Sequence, residues 1–97
     1  MTNRNYLVTY DISDPKRLRS IFKLLKGYGE PWQKSVFFCH LGLLKRKKLE
    51  IRLLDLIHNW QDQVLIIDLG ADQKKVRKQI SVFGRSLRPS LPRIIVI

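Results

Sequence analysis

Bulky apolar and β-branched residues crowd into Tyr6-Leu7-Val8-Thr9-Tyr10, a run short enough for a strand, and Asp11-Ile12-Ser13-Asp14-Pro15 closes it. Asp14 suits a helix cap with Pro15 at the first helical position, where a missing N–H costs nothing. The spacing of Leu18, Ile21, Phe22 and Leu25 predicts a helix to about Lys26 with one core-facing side, ended by Gly27 and Gly29. An extended segment follows over Trp32–Leu41, with bulky residues on both faces of Ser35-Val36-Phe37-Phe38-Cys39-His40-Leu41.

Leu49, Leu53, Leu56, Ile57 and Trp60 predict a second helix over roughly Leu44–Asn59. Gln63–Leu69 reads as another two-faced strand closed by Gly70, and Asp72–Phe83 as a short helix carrying Val76, Ile80 and Phe83. Two prolines mark 85–92 as a loop before Ile94-Ile95-Val96-Ile97, which suits only a strand. If Trp32–Leu41 bends into two strands, the order becomes β-α-β-β-α-β, an α+β ferredoxin-like plan with one further C-terminal strand. Both helices then cover one sheet face. Strands apolar on both sides require cover on the other face too, and a second copy joined through the sheets is the expected source.

The chain has 97 residues, which suits a single domain over 1–97: a globule of this size buries only about 65% of its unfolded surface. With 19 Lys+Arg against 8 Asp+Glu, it carries a formal charge of +11 while 44% of its residues are hydrophobic. A disordered basic tail is excluded by that apolar fraction, so the charge belongs on the outside of a folded domain and points to a polyanionic partner. Cys39 is the only cysteine, which excludes an internal disulfide. No stretch is apolar for long enough to span a membrane and no signal-peptide pattern precedes the first strand, so a cytoplasmic protein without a membrane partner is expected.

Lys16, Arg19, Lys23 and Lys26 recur opposite the apolar stripe of the first helix, with Arg17 beside them, and no acid interrupts the ridge. Solvated faces usually mix signs, so phosphate binding is the better reading of this one. Lys45–Lys48 with Arg52, and Lys74, Lys75, Arg77 and Lys78, spray around their helices and supply general attraction. Arg85, Arg88 and Arg93 suit either a backbone grip or a solvated linker. Asp11 ends the first strand on the face opposite Tyr6, Val8 and Tyr10. It is open to two readings: a turn aspartate that caps backbone N–H groups, or one of two carboxylates that meet across a symmetry axis to hold Mg²⁺ for phosphodiester cleavage. Cys39 and His40 point to opposite strand faces and cannot share one zinc ion. No glycine-rich phosphate loop is present.

The blocks Tyr10-Asp11-Ile12-Ser13-Asp14 with Lys16-Arg17, then Gly27-Tyr28-Gly29, then Gln33-Lys34-Ser35-Val36-Phe37 with Cys39 and Leu41, resemble the CRISPR-associated protein 2 family in order and spacing. The resemblance implies a ferredoxin-like homodimer in which the C-terminal segment, 84–97, packs on the partner subunit. It implies spacer acquisition, with the dimer central between two dimers of the CRISPR-associated integrase and bound to a protospacer duplex DNA. It also implies a Mg²⁺-dependent endonuclease acting on RNA or DNA, with Asp11 as metal ligand and catalytic residue, single-stranded RNA being one possible substrate. Leu18 and Phe38 depart from the family pattern, which often has a basic and an acidic residue there. A non-catalytic scaffold and a small basic ribosomal-type RNA-binding protein are the alternatives.

Overall fold

A computed structural model describes residues 3–87 and 95–96. Strand β1 (Arg4–Asp11) leads to α1 (Pro15–Lys26), β2 (Gly29–Gln33), β3 (Val36–Leu41), α2 (Leu43–Leu56), β4 (Gln63–Gly70), α3 (Gln73–Gln79), β5 (Ser81–Val82) and β6 (Ile95–Val96). The first four strands form an antiparallel sheet in the order β2-β3-β1-β4. This is the ferredoxin-like α+β plan. The Trp32–Leu41 segment is two strands, and the first begins earlier than its apolar run, at Gly29. A side chain at Gly29 would meet the Cys39 sulfur at 2.6 Å, so only glycine lets β2 lie this close to β3.

Asp14 caps α1 as its position predicts, its carboxylate accepting from the Arg17 backbone N–H at 2.9 Å. Tyr6, Val8 and Tyr10 of β1, Phe37, Cys39 and Leu41 of β3, Ile21 and Leu25 of α1, and Leu49 and Leu53 of α2 form one core between the helices and the sheet. Burial pushes the Cys39 thiol up to about 11. Phe22 meets Phe37 edge-on at 5.4 Å between ring centres, while on the other sheet face Trp32 stacks flat on Phe38 at 4.7 Å.

Several expected boundaries shift. The outer residues of the α1 stripe, Leu18 and Phe22, are 38% and 37% exposed because only the β2–β3 turn borders that flank. Helix α2 stops at Leu56 rather than Asn59. Asp62 accepts from the His58 backbone N–H at 2.8 Å and bends the chain away, which leaves Trp60 exposed rather than in the core. Helix α3 ends at Gln79, so Val76 is buried as expected but Phe83 lies exposed beyond β5.

The sheet face away from α1 and α2 draws part of its cover from the chain itself. Ile80–Phe83 and Leu87 lie beside Leu7, Thr9, Trp32 and Val36 across a cleft of about 430 Å³, while Leu65 and Ile67 of β4 stay exposed. Strand β6 pairs in parallel with β5. The expected loop positions Arg88 and Arg93, and most of the 84–97 segment assigned to a partner contact, lie outside the described residues. No helix among the described residues is long and apolar enough to cross a membrane.

Candidate functional site

Asp11 sits where β1 runs out, paired through its backbone with Gln63 of β4 and exposed to solvent. Three carboxylates, Asp11, Asp14 and the sequence-distant Asp62, belong to this end of the sheet, and the structure divides their work. Asp14 caps α1. Asp62, whose side chain is fully buried, accepts from the Ser13 backbone N–H at 3.2 Å and from that of His58 at 2.8 Å. It also takes Arg17 Nε at 2.7 Å and Nη2 at 3.2 Å, a two-pronged ion pair. The Arg17 guanidinium, joined by the two backbone donors, holds the Asp62 carboxyl well below the usual carboxylate range. Asp11 makes no side-chain hydrogen bond or ion pair with the described residues. The capping role open to it in the sequence is filled by Asp14 and Asp62, and its carboxylate is free for a ligand.

The basic residues separate into two groups. Lys16, Arg19, Lys23 and Lys26 are exposed along the outer side of α1, and none of them forms an ion pair with a described residue. Lys26 also lies over the Phe22 ring, 5.8 Å from its centre. Arg17 falls on the opposite flank of the helix, committed to Asp62 and to Gln61 Oε1 at 3.0 Å. It braces the loop after Asp11, a task that sequence distance hides because its partner lies 45 positions along the chain. Arg46 is likewise engaged, with Glu50 at 3.4 Å and the Tyr6 ring at 4.7 Å.

As a metal site, this end of the sheet offers, among the described residues of one chain, a single unencumbered carboxylate, that of Asp11. No group of three or more His, Cys, Asp or Glu among the described residues is placed to hold a metal ion together. Zinc chemistry needs such a group, whereas Mg²⁺ is held by one or two carboxylates with water and phosphate oxygens completing the shell. Asp11 fits the second pattern, in which a second copy or a nucleic-acid phosphate supplies the remainder.

A family model described as CRISPR associated protein Cas2 matches residues 4–77, from the first residue of β1 into α3. The chain belongs to the Cas2 family. Among its relatives, the CRISPR-associated endoribonuclease Cas2 of Geobacter sulfurreducens is 34% identical over 92 residues, covering 95% of this chain and 96% of the relative. The CRISPR-associated endonuclease Cas2 2 of Thermus thermophilus is 36% identical over an alignment that spans both chains completely. The crystal structure of Streptococcus pyogenes Cas2 superposes with a TM-score of 0.74 at 32% identity, covering 82% of this chain and 99% of the other. Family membership sets aside the ribosomal alternative. Within the matched region, Phe38, one of the two positions expected to depart from the family pattern, is buried against Trp32.

Proposed function

We propose that this Cas2 protein serves CRISPR spacer acquisition as a homodimer that grips duplex DNA, seated centrally between two dimers of the CRISPR-associated integrase. The observation that carries this reading is the α1 ridge: four exposed cations on one helix side with no acid to neutralise them. Such a row attracts successive backbone phosphates and reads no bases, which suits a subunit that must accept any protospacer. A dimer doubles the formal charge to roughly +22 and presents two ridges.

A second reading adds hydrolysis of RNA or DNA at Asp11, and the free state of that carboxylate favours it. Mg²⁺ held there would polarise a phosphoryl oxygen and favour attack by water. The residues' own contributions are distinct: Asp11 offers the anionic oxygens, Asp62 fixes the loop behind them through Ser13, and the ridge aligns the strand. Both relatives described above carry nuclease names.

One experiment tests both readings. Duplex binding across a salt series is measured for the wild-type protein, for Asp11→Ala and for the fourfold alanine variant of Lys16, Arg19, Lys23 and Lys26, with Mg²⁺-dependent cleavage of RNA and DNA followed in parallel. Each lost phosphate contact should flatten the slope of log affinity against log salt by about 0.9, so an unchanged slope in the fourfold variant defeats the ridge reading. Asp11→Ala should abolish Mg²⁺-dependent cleavage and, measured without Mg²⁺, leave affinity within about twofold, because without the ion it removes no phosphate contact. Equal cleavage by wild type and Asp11→Ala, or none by either, defeats the nuclease reading.

A further inference from the structure

Between α1 and the turn that joins β2 to β3 lies a cleft of about 640 Å³, lined by Tyr10, Leu18, Arg19, Phe22, Lys34 and Ser35. Its size falls within the roughly 300–1,000 Å³ of small-ligand sites. The walls are apolar: the half-open side chains of Leu18 and Phe22 and the ring of Tyr10. The lining holds two cations, Arg19 and Lys34, and no acid, and neither cation has an ion-pair partner among the described residues. Two hydrogen bonds pin the turn that carries Lys34: the Tyr10 backbone N–H donates to Ser35 O at 3.1 Å and the Tyr10 hydroxyl donates to Lys34 O at 2.9 Å. The backbone on the turn side of the cleft is therefore held in place.

We propose that this cleft takes one unpaired nucleotide of a nucleic-acid strand, its base against Phe22 and Leu18 and its phosphate between Arg19 and Lys34. A flat apolar body joined to an anion matches an aromatic and aliphatic wall flanked by two unpaired cations. Continuity with the ridge selects a nucleic acid over other apolar anions. Arg19 belongs to both features, so a strand seated in the cleft carries its next phosphates onto Lys23 or Lys16 along the same helix. Asp11 follows Tyr10 in β1 and projects from the opposite sheet face, which makes the cleft an anchoring subsite apart from the hydrolytic carboxylate. An unpaired end or flanking nucleotide can enter it, whereas a base held within a duplex cannot. The inference rests on the nucleic-acid reading given above and adds a base-contacting subsite to it.

The test compares, at one fixed low salt concentration, the affinity of a fluorescently labelled single strand with that of the same strand made entirely of abasic nucleotides and with a blunt duplex. Wild type should favour the base-bearing strand at least about fivefold, the lower end of the range for base–aromatic stacking. Leu18→Glu, which alters an exposed position and whose folding is checked by circular dichroism, should bring that ratio close to one. Equal affinity of wild type for the two strands overturns the proposal while leaving the duplex reading intact. A ratio that survives Leu18→Glu also overturns it, placing the base contact elsewhere, for example at the exposed Trp60. A changed molecular mass in Leu18→Glu with no change in the ratio assigns the cleft to contact between copies and overturns it as well. Failure of every nucleic acid to bind defeats this inference together with the reading it rests on.

Discussion

Asp62 shows how much one buried carboxylate can organise. It joins the loop after β1, the turn after α2 and the N-terminal end of α1 by accepting from Ser13, His58 and Arg17. Its affinity for protons lies below the ordinary value of 3.8, so folding favours the ionised form. The resulting stability is fully present above the unfolded-state value and is lost as pH falls through the lower folded-state one. Asp62→Asn should therefore be less heat-stable than wild type at neutral pH, with the gap narrowing steadily from about pH 5 towards pH 2. Thermal melts across that range check this; a gap independent of pH would mean that the carboxylate's charge contributes nothing. The same residue marks a limit of reading single positions. Arg17 stands next to Lys16 in the chain and looks like part of one basic patch, yet its side chain leaves by the other flank of the helix for a partner that only the closed fold brings near.

At the scale of elements, α1 was legible almost to the residue because its start and stop are chemical: Asp14 before it, Pro15 at its first position, Gly27 after it. Helix α2 and α3 were legible in existence but not in extent. Apolar residues continue at helical spacing through Ile57 and Trp60, and again through Ile80 and Phe83, while the Asp62 carboxylate just beyond the helix in one case and strand pairing in the other end the helix sooner. Helix α2 also carries two apolar rows. Leu49 and Leu53 are buried, whereas Leu44, Ile51 and Leu54 are 73%, 60% and 67% exposed on the opposite side. Leu49→Ala should cost about 2–5 kcal/mol, the usual range for emptying a packed leucine site. Ile51→Ala should cost no more than about 0.5 kcal/mol, as exposed substitutions do. Denaturant titration of the two variants distinguishes the rows, and equal losses would contradict the orientation of the helix.

The molecule as a whole is a sheet with one face sealed by α1 and α2 and the other partly roofed by the segment after α3. The runs of apolar residues on both sides of the strands correctly marked the second face as apolar, but the roof over Leu7 and Thr9 was not legible, because Ile80–Phe83 was read as helix. What remains open on that face centres on Leu65 and Ile67. If two copies meet there, Ile67→Lys should yield a monomer by sedimentation at concentrations where wild type is a dimer, with the far-ultraviolet circular dichroism unchanged. A dimer that persists in Ile67→Lys would place the contact elsewhere.

Cys39 bears on that association from an unexpected side. It is the sole thiol, sealed in the core beside Gly29, and its raised proton affinity keeps it unreactive as well as hidden. A disulfide between copies of the folded chain is therefore closed off. Any association between copies would then be non-covalent, weakened by dilution and set by how much of the protein is present.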